Sequence, residues 1–335
     1  MTDLPVTLPE ILAARERVAG HIHRTPVLGS ATAARLIAAR TGVEIADGRL
    51  FAKAEHLQRT GSFKPRAAFN RIASLTPAER ERGAVTVSAG NAGQAYAWAG
   101  REAGVPVTVV MPKGAVASKV AACRGYGARV VLHGDDVGET LRKMEELVAD
   151  GLTLVHPYDQ PEVIAGNASL GLELLDDLPD VDVVVVPVGG GGLIGGVSLA
   201  LHLRAPHVRV IGVEPEQSDA LRRGLERGAP VPIQPRSIAD GLGAPAAGRL
   251  AIEIGRRAIE EVVLVDEATI LAGIRFAVER MKQVLEPAGA TALGAVLAGA
   301  VPIRSGERVC VILSGGNIAL ERLGAFLEAA PAIDG

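Results

Sequence analysis

Residues 183–196 read VVVVPVGGGGLIGG, a β-branched run that breaks into four successive glycines and continues as an uncharged apolar stretch. A short, continuously apolar run bounded by glycine reads as a strand covered on both faces, followed by a tight turn and a helix. Glycines let backbone N–H groups approach a ligand closely, and the N-terminus of the next helix adds partial positive charge. The turn is therefore suited to a phosphate. Two kinds of phosphate fit. Gly190, Gly192 and Gly195 satisfy G-x-G-x-x-G, and Glu214 ends the next apolar run where a ribose-binding acid of a dinucleotide site would stand. A single phosphate monoester needs only the backbone and the helix.

Outward from this stretch, short β-branched runs alternate with alanine-rich segments: RLFAKAE, AVTVSA, VTVVMP, RVVLH, TLVHP, VDVVVVPV, VRVIGVE, VVLVD and RVCVILS read as strands. Helices are expected over residues 93–103, 115–124, 136–149 and 161–176. Connections of that length suit parallel crossovers, so the fold class is α/β with parallel sheets. Residues 83–156, with three or four strands, are expected to form a smaller unit inserted into a larger one made of 1–82 and 157–335.

Composition narrows the function. The chain has 335 residues, 48% hydrophobic and 22% charged, with a formal charge of −3 and no basic stripe, which argues against nucleic acid as a partner. The first residues carry Asp3, Glu10, Arg15 and Glu16, unlike a signal peptide, so a cytoplasmic location is expected. Residues 183–201 are uncharged, but six glycines and Pro187 suit strand, loop and helix rather than a membrane span. Cys123 and Cys310 form no paired motif, Cys310 reads as a core residue, and the seven histidines show no metal-ligand spacing.

The stretch TGSFKPRAAFN, residues 60–70, sets Lys64 before Pro65, a residue suited to the first turn of a helix. Proline disfavours helical geometry in the preceding residue, so Lys64 is expected to project from a loop. TGSFKPRAAFN resembles the Schiff-base lysine motif of the fold-type II pyridoxal 5′-phosphate enzymes. SAGNAGQA is similar to their substrate-carboxylate loop, VGGGGLIGG to their phosphate loop and LSGGN to their pyridine-nitrogen loop, all in the family's order. HPYDQPEVIAG, GVEPE, IADG and EPAGA fill the gaps in the manner of threonine/serine dehydratases.

The resemblance implies two open, mostly parallel twisted sheets covered by helices, as in the tryptophan synthase β subunit, and commonly a homodimer. It implies that Lys64 carries pyridoxal phosphate covalently, with Phe63 beside the ring and Asn91 on its 3′ oxygen. Gly189, Gly190, Gly191, Gly192 and Leu193 would hold the phosphate. Ser314 would face the pyridine nitrogen, Gly241 and Glu286 would line the site, and Ser88, Ala89, Gly90, Asn91 and Ala92 would bind an amino-acid carboxylate. The implied reaction is α,β-elimination from L-threonine, L-serine or a related β-hydroxy amino acid, giving a 2-oxo acid and ammonia. A neutral hydroxyl at the pyridine nitrogen makes a weaker electron sink than a carboxylate would, which favours elimination over transamination.

Serine racemase is the rival within this resemblance. Racemases carry a second serine where this chain has Ala89, and a second metal-binding acid where it has Ala220, six places after Glu214; no divalent-metal site is expected. A nicotinamide-dependent oxidoreductase remains the more distant alternative. Ala92-Gly93 departs from the family's His-Ala or His-Gly, Ala67 from its glycine, and GNAS at 166–169 from Gly-Gln-Gly-Thr, so a roomier, less polar pocket is expected. The short tail after LSGGN gives no expectation of isoleucine feedback.

Overall fold

The valines of residues 183–186 lie in a strand with no exposed face: Val183 and Val185 pack into one hydrophobic core, Val184 and Val186 into another. Alternate side chains of a strand point to opposite faces, so each face has its own layer of helices. Val309 and Val311 against Cys310 and Ile312 repeat the pattern in the neighbouring strand. Each fully buried valine contributes about 1.5–3 kcal/mol of hydrophobic stabilisation. Cys310 is a buried core residue, as expected.

The structure, a computed structural model, describes residues 4–332. Its strands are β1 (Val27–Ser30), β2 (Leu50–Lys53), β3 (Ala84–Val87), β4 (Val107–Met111), β5 (Arg129–Leu132), β6 (Thr153–Leu154), β7 (Val183–Pro187), β8 (Arg209–Pro215), β9 (Glu261–Val265) and β10 (Val309–Ile312). A six-stranded sheet has the order β1-β2-β10-β7-β8-β9, and a four-stranded sheet the order β5-β4-β3-β6. Every pairing is parallel except β1 with β2. The fold is α/β with two parallel-rich sheets covered by helices.

All nine expected strands are present, and the helices Asn91–Ala103, Ala117–Gly125, Val137–Ala149 and Pro161–Asp177 fall where the sequence placed them. Strand β1 was not expected. Its sequence, VLGS, has little strand character, and it is held by antiparallel register with β2, from Val27↔Lys53 to Ser30↔Leu50. Among the described residues no helix is long and apolar enough to cross a membrane.

In both sheets the loops that carry the motifs leave the carboxyl ends of parallel strands: residues 88–92 after β3, 189–192 after β7 and Ser314 after β10. Ligands of open α/β sheets bind at these ends.

Candidate active site

The glycine loop needs glycine for contact as well as for conformation. A Cβ on Gly190 would lie 2.5 Å from the Tyr158 ring, and Gly191 holds a left-handed φ of +87° with Ala251 2.5 Å from where its Cβ would be. Gly191 precedes the helix Gly192–Arg204, which no side chain caps, so its first N–H groups are free for an anion.

Tyr158 comes from HPYDQ, whose other residues brace the same loop. His156 Nδ1 accepts from the N–H groups of Tyr158 and Asp159 at 3.2 and 2.9 Å. The Asp159 carboxylate accepts from the N–H groups of Arg249 and Leu250, both at 3.0 Å, at the start of the helix Arg249–Ala258. Just ahead of that helix, the Gly248 N–H donates to the Gly190 carbonyl at 3.0 Å.

Lys64 departs from the loop geometry that Pro65 suggested: its backbone is helical (φ −53°, ψ −33°) as the N-cap of the helix Pro65–Ala73. Tertiary anchoring overrides the local preference. The Phe63 N–H donates to the Ser314 carbonyl at 3.0 Å, Ser62 bridges Gly315, and the Lys64 carbonyl accepts from the Ala68 N–H at 3.0 Å. The amine lies 4.7 Å from the centre of the Phe63 ring. Burial lowers the Lys64 pKa to about 8, with the Glu286 carboxylate pulling weakly the other way.

Opposite the lysine, the Asn91 Nδ2 group donates to Glu286 Oε1 at 2.6 Å. Asn317 Nδ2 donates to Asn91 Oδ1 at 2.9 Å and to the Thr60 carbonyl at 2.7 Å, fixing which way the Asn91 amide faces. Burial raises the Glu286 pKa to about 7 against the Asn91 hydrogen bond. Ser314 Oγ donates to the Ala288 carbonyl at 3.3 Å, and Ser88 Oγ accepts from the Gly90 N–H at 3.1 Å. The helix Asn91–Ala103 also starts without a side-chain cap.

Every residue that the resemblance assigned to the cofactor or the substrate, including Gly241, Leu193, Ala89 and Ala92, lines a single cavity of about 440 Å³. The sequence reading did not single out Tyr158, Asn317, Lys119 or Asp240. Tyr158, Asn317 and Asp240 lie inside HPYDQ, LSGGN and IADG, and were legible there only as parts of a motif. Lys119 and Asp240 pair at 3.1 Å and also line the cavity.

Glu214 does not line the cavity. It is fully buried, and its carboxyl accepts from the N–H groups of Leu221 and Arg222 at 2.8 and 2.9 Å, at the start of the helix Ala220–Arg227. Bound in that way it has no oxygen to offer a ribose, which removes the second half of the dinucleotide signal. Among the described residues no group of three His, Cys, Asp or Glu side chains could hold a metal ion.

The residues present fit pyridoxal phosphate: a glycine cradle at an uncapped helix for the phosphate, an amine shifted toward neutrality for the aldehyde, and polar groups from both sheets in one cavity. Known proteins resemble the chain in the same sense. It is 42% identical over 324 residues to the catabolic L-threonine dehydratase of Escherichia coli (strain K12), covering 96% of each. Maize serine racemase superposes with a TM-score of 0.89 at 31% identity, over 97% of this chain and 98% of that one. The processed form of threonine deaminase isoform 2 from Solanum lycopersicum gives 0.86 at 32% identity, over 96% and 87%. The family description "Pyridoxal-phosphate dependent enzyme" matches residues 18–315, and the chain belongs to that family.

Proposed function

We propose that the protein is a threonine/serine ammonia-lyase, releasing a 2-oxo acid and ammonia from L-threonine, L-serine or a related L-β-hydroxy amino acid. The observation that carries this reading is the pairing, in one cavity, of a lysine amine shifted toward neutrality with a neutral Ser314 hydroxyl. The relatives named as threonine dehydratase and threonine deaminase support it.

Residues 189–193 and the N-terminus of their helix would hold the cofactor's phosphate, Lys64 its aldehyde carbon, and Asn91 and Ser314 its ring edge. When bound, the cofactor supplies an electron sink beside the substrate Cα. The Lys64 amine removes the α-proton as a general base, which its lowered pKa permits near neutral pH. The N–H groups at the uncapped start of the helix Asn91–Ala103 hold the substrate carboxylate, since a helix N-terminus favours an anion. Position 89, where the racemases carry a second serine, is Ala89 and has no hydroxyl to return a proton, which disfavours racemisation.

A cytoplasmic homodimer, with residues 83–156 as the small substrate-loop domain, belongs to the same proposal. The dimer is supported by the resemblance, the location by the charged first residues, and the small domain by the confinement of β3 to β6 to residues 84–154.

The test is release of 2-oxo acid and ammonia from L-threonine, L-serine and larger L-β-hydroxy amino acids, with D-serine assayed in parallel. Oxo acid without D-serine is expected; D-serine as the main product from L-serine would assign a racemase instead. Gly190→Ala is expected to cost about 1–3 kcal/mol of stability by overpacking against Tyr158, and to weaken cofactor binding. Thermal melts and absorbance titration of the cofactor measure the two effects.

A further inference from the structure

Loss of a β-hydroxyl requires a proton, because hydroxide is a poor leaving group. On the dehydratase reading above, the cavity must contain its donor. Besides Lys64, which is assigned the α-proton, six side chains lining it could serve: Ser88, Ser314, Tyr158, Lys119, Asp240 and Glu286.

Five are committed elsewhere or are too weakly acidic. Ser314 and Tyr158 already donate, to the carbonyls of Ala288 and Ala246 at 3.3 and 3.2 Å, and burial pushes the Tyr158 hydroxyl up to about 12. Ser88 is an alkyl hydroxyl, a far weaker acid than a carboxyl. Lys119 and Asp240 form an ion pair at 3.1 Å, with Arg322 also 3.5 Å from the same Asp240 oxygen.

Glu286 differs from all of these. It occupies the N-cap of the helix Pro287–Leu297 but does not cap it. Instead its side chain is buried against the cavity, and Oε1 accepts from Asn91 at 2.6 Å. Among the described residues nothing hydrogen-bonds Oε2. The charged groups acting on it are the cations Lys64 and Lys119 and the anion Asp240. A buried carboxyl is costly to keep ionised, and a neutral side chain could accept the Asn91 hydrogen bond as well.

We propose that Glu286 is a catalytic acid of the dehydration, passing its carboxyl proton to the departing β-hydroxyl. The Cβ–O bond breaks with its electron pair on oxygen, the proton from Glu286 completes a water molecule, and the α-proton goes to Lys64. The pair from the Cα–H bond becomes the Cα–Cβ double bond. Return of one proton from Lys64 to Glu286 by way of solvent resets both groups.

The test compares L-threonine with β-chloro-L-alanine, whose chloride leaves without protonation, in wild type and Glu286→Gln. Glutamine is isosteric and keeps an oxygen for Asn91. Turnover of threonine is expected to fall about 100-fold, within the range of a positioned acid, and that of chloroalanine by no more than about five-fold. A parallel fall on both substrates, or undiminished threonine turnover, would overturn the proposal. Infrared titration of the cofactor-free protein provides a readout independent of turnover. A protonated-carboxyl band present at acidic pH, lost as pH rises through about 7 and absent from Glu286→Gln, is expected. An ionised Glu286 well below that pH would overturn the role. A wild type that eliminates chloride but never hydroxyl would overturn the dehydratase reading first, and this role with it.

Discussion

Lys64→Ala is expected to release 2-oxo acid from L-threonine at least about 10³-fold more slowly than the wild type, because a positioned acid–base group alone contributes roughly 10²–10⁴-fold. The same amine is also the covalent attachment point, so two roles are lost together. Its environment explains why no other lysine can replace it. The only other cavity lysine among the described residues, Lys119, is paired with Asp240, whereas the Lys64 amine lies over an aromatic ring and is in none of the ion pairs of the described residues. Burial disfavours the charged amine, which lowers its pKa from the ordinary lysine range to about 8. In the cofactor-free chain, acylation of Lys64 should therefore be half-maximal near pH 8, while surface lysines titrate about two units higher. Borohydride treatment of the loaded wild type should leave the cofactor's mass on the peptide that contains Lys64. Turnover retained by Lys64→Ala, or cofactor mass on another lysine, would remove Lys64 from the mechanism.

How much of this could be read beforehand follows from the range over which each feature is determined. Strands such as β7 are continuous apolar runs, so periodicity and turn residues locate them without tertiary information. The motifs were legible for the same reason, and the cavity brings all of their named residues together. Long-range pairing was not legible. Strand β1 exists through its partner β2, and the helical backbone of Lys64 through contacts with Ser314 and Gly315, far later in the chain, where local preference pointed the other way. Glu214 shows the converse error. Its spacing from the glycine run suited a ribose, but the sequence could not show that the next helix would take both of its oxygens.

The second large effect lies behind the lysine rather than in front of it. Arg66 is fully buried two residues after Lys64, and its guanidinium donates to Glu55 at 2.7 and 2.8 Å and to Glu173 at two separations of 3.0 Å. Lys53, also fully buried, donates to Glu173 at 2.7 Å and to Asp177 at 2.7 Å. The cluster joins β2, the lysine-bearing helix and the helix Pro161–Asp177, which pack so closely that a Cβ on Gly166 would lie 2.6 Å from the Arg66 carbonyl. Arg66→Met is expected to destabilise the protein by about 3–5 kcal/mol, because it leaves buried carboxylates without their partner rather than merely removing an attraction. Glu173 would keep Lys53, but Glu55 would keep only the Thr25 hydroxyl at 2.5 Å. Glu55→Gln, which leaves Arg66 still paired with Glu173, should cost less, and urea midpoints of the two variants test that order. The pH dependence has a definite sign. Burial raises the Glu173 pKa, but Arg66 and then Lys53 outweigh it, so the net shift in the native protein is downward. A carboxyl lowered on folding contributes stability above its unfolded pKa, and that contribution is lost as pH falls through the native value. Removing Arg66 removes the largest lowering influence on Glu173, so the gap between wild type and Arg66→Met should be widest near neutrality and narrow toward acid. A gap that stayed constant with pH would mean that Arg66 acts by packing alone and that the buried charges contribute nothing to holding the lysine in place.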